Sequence, residues 1–399
     1  LEWTKNRVVQ VLNLMNSNSS PGYRGIPINV WKTAPEEILE AIAHLLNLVE
    51  KEGRWPKEST SAYVCVLPKT EESTEPGDYR PITVLDVIYR LWARGVVECW
   101  KVPLQQESLS DCVMGFREER GCSHLAQLVQ DVVDISDEVY LVSFDIQKCY
   151  DTLPWWAIFG TLSAFGVHES IVNAFSAMYS SLVRRFRYGR WDGEPWTAAN
   201  GLAQGCPASP DLLNFLYEPF HRWAKSTGRG VSLSFDNLQE VLGTASYADD
   251  LVIMANSWED ASHLVEGFLG WCRMLGLKVN LKKTQVWTNN SRVKSVKIGE
   301  DTISTRKTFK VVGIEIGTKE KATCEEHSKK RLEKASAALN KLNTLRLPTP
   351  IFVRVWQTGI LPLLTYGCEI RDMAKVCKKL TSKVVTAYSA TIPISLSRY

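Results

Sequence analysis

Two adjacent carboxylates, Asp249 and Asp250, stand between the small residues Gly243-Thr244-Ala245-Ser246 and the apolar run Leu251-Val252-Ile253-Met254. Neighbouring anions repel one another and resist burial, so the segment needs compensation, which a divalent cation supplies directly. The same dipeptide also occurs in ordinary solvated turns. A third carboxylate, Asp145, ends the nearly continuous apolar run Val139-Tyr140-Leu141-Val142-Ser143-Phe144, where capping the next helix is the competing role. Lys69 and Arg80 bracket an acidic loop at 70–78. Singly they are ordinary surface cations, but together they match what a polyphosphate needs, a mobile point charge and a planar fork. In Gly201-Leu202-Ala203-Gln204-Gly205-Cys206-Pro207, glycines on both sides of Gln204 let the backbone approach something flat. A helix starting near Pro210 aims its amino end at the same place.

The elements that must hold these residues are readable from periodicity. Tyr247 to Asp250 sits between two short apolar or β-branched runs and predicts a β-hairpin with the acidic pair at its turn. The Asp145 run predicts a buried strand that turns into a helix bearing Tyr150 and Asp151. Helical spacing predicts helices over 33–52, 87–96, 123–133 with Ser123 as cap, 212–223, 258–275 and 320–345. Strands are expected at 62–67, at 293–298 and 309–316, the last two forming one small sheet, and a hairpin around Gly189 to Gly193 carries Arg184, Arg185 and Arg187 on one strand. Arg117 and Arg120, in a polar turn after Gly115, are candidates for a nucleic-acid backbone.

The bulk composition narrows the class. With 399 residues, 45% of them hydrophobic, the chain can fill a core of two or three layers. It lacks any run of 18 apolar residues and any signal-peptide pattern in residues 1–20, so no membrane association is expected. Ten cysteines without a C-x-x-C pair, and six scattered histidines, speak against a zinc ribbon or a disulfide framework and for reduced, intracellular thiols. An opening Leu1 leads us to expect a fragment or excised domain. The net charge is only +3, yet residues 278–346 hold 17 Lys and Arg against 7 Asp and Glu, which is +10 and leaves −7 elsewhere. Such a segment is either a solvated face or an electrostatic footprint for a polyanion.

In chain order the polar singularities are Lys69, Arg80, Asp145, Tyr150, Gln204, Asp249, Asp250 and Lys283. They suit nucleotidyl transfer, which needs carboxylate-held metal ions, cations on the phosphates and a nucleotide pocket. Leu67-Pro68-Lys69, Tyr79-Arg80-Pro81-Ile82, Gly115-Phe116-Arg117, Phe144-Asp145 through Tyr150-Asp151, Gly201 through Pro210, Tyr247 to Asp250, Asn280 through Thr284 and Phe309 through Gly313 resemble the successive motifs of reverse transcriptases. The likeness is closest to non-LTR (LINE-type) retrotransposons, and with Gly25-Ile26-Pro27 and Tyr366-Gly367 it runs from about residue 21 to 370.

The resemblance implies an α+β right-hand polymerase: N-terminal extension and fingers at 1–138, a palm with antiparallel sheet at 139–318 with a 157–200 insertion partly in the fingers, and a helical thumb with the start of a C-terminal region at 319–399. It implies Asp145, Asp249 and Asp250 as ligands of two Mg2+ ions, with Mn2+ as a substitute. Lys283 would assist pyrophosphate departure. Tyr150 would be a steric gate against a 2′-hydroxyl, Lys69 and Arg80 a triphosphate clamp, Gln204 and the Gly205 backbone part of the nucleotide pocket, and Gly313 part of a primer grip. The implied partners are an RNA template, a DNA primer or RNA/DNA hybrid, and dNTPs, with an endonuclease or other domains of a longer polyprotein and a nuclear or nucleocytoplasmic location. Ala203 and Ala208 depart from residues the family often carries, a basic residue and Leu. The competing classes are an RNA-dependent RNA polymerase and a catalytically silent maturase-like RNA-binding protein. Neither the oligomeric state nor the template follows from the residues.

Overall fold

The computed structural model describes residues 2–69, 73–235, 238–318, 321–345 and 347–370. The chain is mixed α and β and divides into two compact units, each assembled from separate stretches. One contains residues 1–117, 146–223 and 268–280, and the other 118–145, 224–267 and 281–399.

Helices dominate the first unit. Helix Glu36–Glu52 begins on Pro35 with Glu36 and Glu37 in its first turn and ends at Gly53, whose φ of 62° is the left-handed stop that glycine supplies. It buries Leu39, Ile42, Leu46 and Val49, as the spacing predicts. Helix Val87–Trp100 is capped by the Asp86 side chain and brings Tyr89 and Trp92 into an aromatic core with Trp55 and Phe175. Glu50, buried beside them, accepts from the indole nitrogens of Trp3 and Trp92 at 2.8 Å each, so the carboxylate is satisfied where burial demands it.

Against this core lies a five-stranded sheet. Strand Ser61–Pro68 pairs antiparallel with Tyr79–Val84 and parallel with Val183–Tyr188, which in turn pairs with Trp191–Asp192 and Trp196–Thr197. Helix Ser209–Ser226 presents a polar stripe at helical spacing to residues 105–117. Asp211 accepts from Gln105, Asn214 donates to the Gly115 carbonyl at 2.6 Å, and Glu218 accepts from the Ser110 backbone at 2.9 Å. Arg117 belongs to this lock. It is buried and donates to the carbonyls of Ser110 at 2.7 Å and Val113 at 2.9 Å, so it ties its own loop instead of facing solvent as its turn suggested.

The second unit is built on a four-stranded antiparallel sheet in the order Gln285–Thr288, Tyr140–Phe144, Asp250–Ala255, Thr244–Tyr247. Tyr140–Phe144 is buried at every position, which explains an apolar run broken only by Ser143. The expected single sheet after residue 290 is two separate hairpins instead, Ser295–Ile298 with Asp301–Ser304 and Phe309–Val311 with Ile314–Ile316. The runs are too short to bridge, and Gly299 and Gly313, with φ of 61° and 84°, turn each back on itself. Helix Cys122–Ile135 is capped at Gly121 with His124 closing the box, so Ser123 lies inside the helix instead of capping it. Helix Lys321–Thr344 buries Ala335, Leu339 and Leu342 against Phe352, Ile360 and Leu364, a small core of its own. The end of the expected C-terminal region, 371–399, lies outside the described residues.

Candidate active site

In the second unit the sheet register brings the acidic residues together. Tyr247 pairs with Asp250, and Ala248 takes a φ of 54°, so the predicted hairpin forms with Ala248-Asp249 as its two-residue turn, while Asp250, expected at the turn, opens the second strand instead. The neighbouring ladder runs from Ala255 opposite Tyr140 to Leu251 opposite Phe144, and one further step sets Asp250 opposite Asp145. On the other side Gln285 pairs with Ser143, which carries Lys283 alongside Asp145. Lys283 Nζ lies 3.5 Å from Asp145 Oδ2. Three strand ends therefore deliver Asp145, Asp249, Asp250 and Lys283 to one edge.

The electrostatics follow from that crowding. Burial among protein atoms, then the charges of Asp249 and Asp145, push the Asp250 carboxyl up to about 6, against a smaller opposing effect from Lys310. Asp250 is exposed as a residue, so its carboxyl is both solvent-reachable and hemmed in by like charge. A donor set of hard oxygens in mutual repulsion fits a hard divalent cation. Among the described residues no three His, Cys, Asp or Glu side chains are already closed into a metal-holding group, which leaves the fit to rest on donor type and charge.

The first unit assembles the residues expected at the nucleotide. The Gly201 loop is zipped onto the turn after Asp145: Leu202 N–H donates to the Tyr150 carbonyl at 2.6 Å and Gly201 N–H to that of Leu153 at 2.7 Å. At Gly201, φ is 88° and a Cβ would stand 2.6 Å from the Asp151 carbonyl oxygen, so only glycine allows the approach. Gly205 packs on strand Tyr79–Val84, with Thr83 N–H donating to the Gln204 carbonyl at 2.7 Å. Gln204 Nε2 lies 3.5 Å from Asp151 Oδ1. Burial raises the Asp151 carboxyl from its usual range, opposed by Gln204 and by the cations Lys148, Lys69 and Arg184. Around them is a cavity of about 320 Å³ whose walls include Asp151, Gln204, Thr83, Arg184 and Trp196.

Lys69 and Arg80 also fall together, since the pairing of Leu67 with Arg80 puts Lys69, two residues on, on the Arg80 face. Lys69 Nζ donates to the Gly77 carbonyl at 2.8 Å, and Arg80 is exposed. Thr70, Glu71 and Glu72, in the loop between the two cations, lie outside the described residues. Asp151, quoted in the sequence only as part of its motif, and Arg184 also line the cavity beside Gln204, though neither was singled out for the site. Arg184 was counted in a cationic row, yet it is 4% exposed. The two-residue alternation of its strand carried the signal, because it separates Arg184 and Phe186 from Arg185 and Arg187.

The Phe309 hairpin is held from behind. Tyr366 donates its hydroxyl to the Val312 carbonyl at 2.5 Å and Arg331 donates to that of Gly313 at 2.8 Å, with its guanidinium 4.5 Å from the Tyr366 ring. His327 bridges the Glu315 N–H at 3.4 Å and the Tyr366 carbonyl at 3.2 Å. Both residues of the turn, Val312 and Gly313, have positive φ, and these carbonyl contacts fix a conformation that valine resists.

With this geometry in place, the family comparison is decisive: residues 67–316 match the model described as reverse transcriptase (RNA-dependent DNA polymerase). The chain belongs to the reverse transcriptase family. The match spans both the carboxylate edge and the glycine loop. This reverse transcriptase domain is similar to the Pol polyprotein of the type-2 retrotransposable element R2DM of Drosophila melanogaster, 27% identical over 67% of the chain and 24% of that protein. It is also similar to the transposon TX1 149 kDa protein of Xenopus laevis, 25% identical over 66% of the chain and 20% of that protein. The RNA-directed DNA polymerase from mobile element jockey of Drosophila melanogaster is 21% identical over 94% of the chain and 41% of that protein. The domain is thus of the non-LTR retrotransposon kind. It spans 24% and 20% of the first two relatives' length. Enzymes of the family generally use divalent metal ions. No helix among the described residues is long and apolar enough to cross a membrane.

Proposed function

We propose that this reverse transcriptase domain copies an RNA template into DNA by nucleotidyl transfer at the Asp145, Asp249 and Asp250 edge, as part of a longer retrotransposon protein. The observation that carries the reading is the strand register opposing Asp250 to Asp145 with Lys283 alongside. Asp145 and Asp249 are the principal ligands and Asp250 the third. Two bound Mg2+ ions, or Mn2+ in their place, would lower the pKa of the primer 3′-hydroxyl and neutralise charge on the departing pyrophosphate. Lys283, beside Asp145, donates a proton or a hydrogen bond to that leaving group.

Lys69 and Arg80 hold the triphosphate from one face of their strand pair, and Gln204 with the Gly205 backbone lines the nucleotide pocket. The Tyr150 ring fills the space a 2′-hydroxyl would need, so discrimination against ribonucleotides is steric. The right-hand assignment follows: fingers at 1–138 with part of 157–200, palm at 139–318, thumb from 319. The basic segment 278–346 tracks template and primer phosphates without reading sequence. The partners are an RNA template, a DNA primer and dNTPs, and the place of action is intracellular, nuclear or nucleocytoplasmic.

Primer extension on an RNA template, run with dNTPs and separately with rNTPs, tests the reading. Extension with dNTPs alone supports it. Incorporation of rNTPs alone would assign an RNA polymerase, and tight hybrid binding without any extension would assign a silent RNA-binding protein.

A further inference from the structure

Gln204 faces Asp151 only as long as the peptide before it keeps its place, and residues 201–204 belong to no strand. Gly201 and Leu202 take partners from the backbone of 150–153, and the Gln204 carbonyl takes the Thr83 N–H. Ala203, between them, depends on two side chains. Its N–H donates to the Tyr179 hydroxyl at 3.4 Å, and its carbonyl accepts from Ser209 Oγ at 2.9 Å as well as from the Cys206 N–H at 3.0 Å. The hydroxyl oxygens of Tyr179 and Ser209 are themselves 3.2 Å apart.

The available protons fix the direction of these bonds. A carbonyl only accepts, so the single hydroxyl proton of Ser209 goes to Ala203, and Tyr179 donates to Ser209 while accepting from the Ala203 N–H. The result is a closed circuit that leaves the Ala203 amide, passes through Tyr179 and Ser209, and returns to the Ala203 carbonyl. Tyr179 and Ser209 are each 2% exposed, so a partner lost there is costly to replace. They come from different helices, Tyr179 from the last turn of Glu169–Ser181 and Ser209 from the start of Ser209–Ser226. The Tyr179 ring packs without help from its hydroxyl, with centroids 5.9 Å from Trp155 and 6.2 Å from Phe159. The hydroxyl therefore adds to a packed aromatic one function, holding the glycine loop.

We propose that Tyr179 and Ser209 are positioning residues for the incoming nucleotide: their circuit sets the Ala203 peptide and, through it, the placement of Gln204. The inference rests on the polymerase reading for what Gln204 meets. A loop held in this way loses its placement before the fold is lost, because the hydroxyl can be removed with the ring left where it is.

The test uses the full chain carrying Tyr179→Phe, Ser209→Ala or both, in single-nucleotide incorporation on an RNA/DNA hybrid. Each single substitution should raise KM for dNTP by about five- to ten-fold, with kcat and hybrid affinity held within about two-fold. The double variant should be no worse than either single one, since each breaks the same circuit. Hydrogen exchange in the free chain gives a reading that needs no turnover: the peptide covering 201–206 should exchange faster in Tyr179→Phe, while helix Glu36–Glu52 keeps its protection. A lowered Tm with KM for dNTP unmoved, as a merely structural role would give, would overturn the proposal. So would effects that multiply in the double variant, or unchanged exchange at 201–206. Failure of the unsubstituted chain to incorporate dNTP counts against the polymerase reading and leaves exchange to decide the circuit, whereas normal incorporation with KM unmoved in the variants counts against the positioning role alone.

Discussion

Asp145 ends a strand buried on every side, and what makes such a residue informative is that solvation alone does not account for its position. Its type and location were legible in the sequence; its opposition to Asp250 was not, because a register between strands more than a hundred residues apart is written only in the pairing. Tyr150 is a sharper case for experiment. Replacing it with alanine should lower the dNTP over rNTP ratio of kcat/KM by about ten- to a hundred-fold with little change in dNTP kcat, checked by single-nucleotide incorporation. Asp211 gives a residue-scale stability test. Burial pushes its carboxyl up to about 7, with Gln105 opposing as a hydrogen-bond donor. The folded chain therefore holds the proton more tightly than the unfolded chain does, and stability falls as pH rises from about 4 through about 7. Asp211→Asn should flatten that fall in a denaturant series measured at several pH values. A fall of the same slope in the variant would mean Asp211 is not its source.

Elements were legible where one face is apolar and local. Helix Glu36–Glu52 and the Asp249 hairpin follow from spacing, glycine stops and a two-residue turn. Arg117, read as a candidate for a nucleic-acid backbone, and Arg184, counted as one of three cations on its strand, both prove buried, since burial of an arginine depends on which carbonyls and rings the fold brings to it. The Tyr366 brace is equally nonlocal: it joins a residue near 366 to a turn at 312–313 and is invisible to any window. If that brace sets the primer grip, Tyr366→Phe removes one hydrogen bond of about 1 kcal/mol. The expected result is a small drop in Tm, with KM for primer rising and KM for dNTP unchanged. A rise confined to dNTP would place the brace elsewhere in function.

At the scale of the molecule, charge is the property the sequence shows best. Residues 278–346 carry +10 while the rest of the chain carries −7, so attraction to a polyanion is regional and is masked in the net +3. The log of hybrid affinity should fall steeply and linearly with the log of salt concentration, and replacing Lys and Arg pairs in this segment should reduce the slope. A flat dependence would reduce the segment to a solvated face. The division into two units was not legible, because each is assembled from stretches the chain leaves and re-enters.

The central claim is that the Asp145, Asp249 and Asp250 edge performs nucleotidyl transfer, and single-turnover incorporation of one dNTP on an RNA/DNA hybrid by Asp145→Asn and Asp249→Asn tests it most directly. Each variant should bind the hybrid as the unsubstituted chain does and lose about 10³-fold or more in rate, the loss expected when a ligand of a catalytic metal is removed. Incorporation at an unchanged rate by either variant would contradict the account.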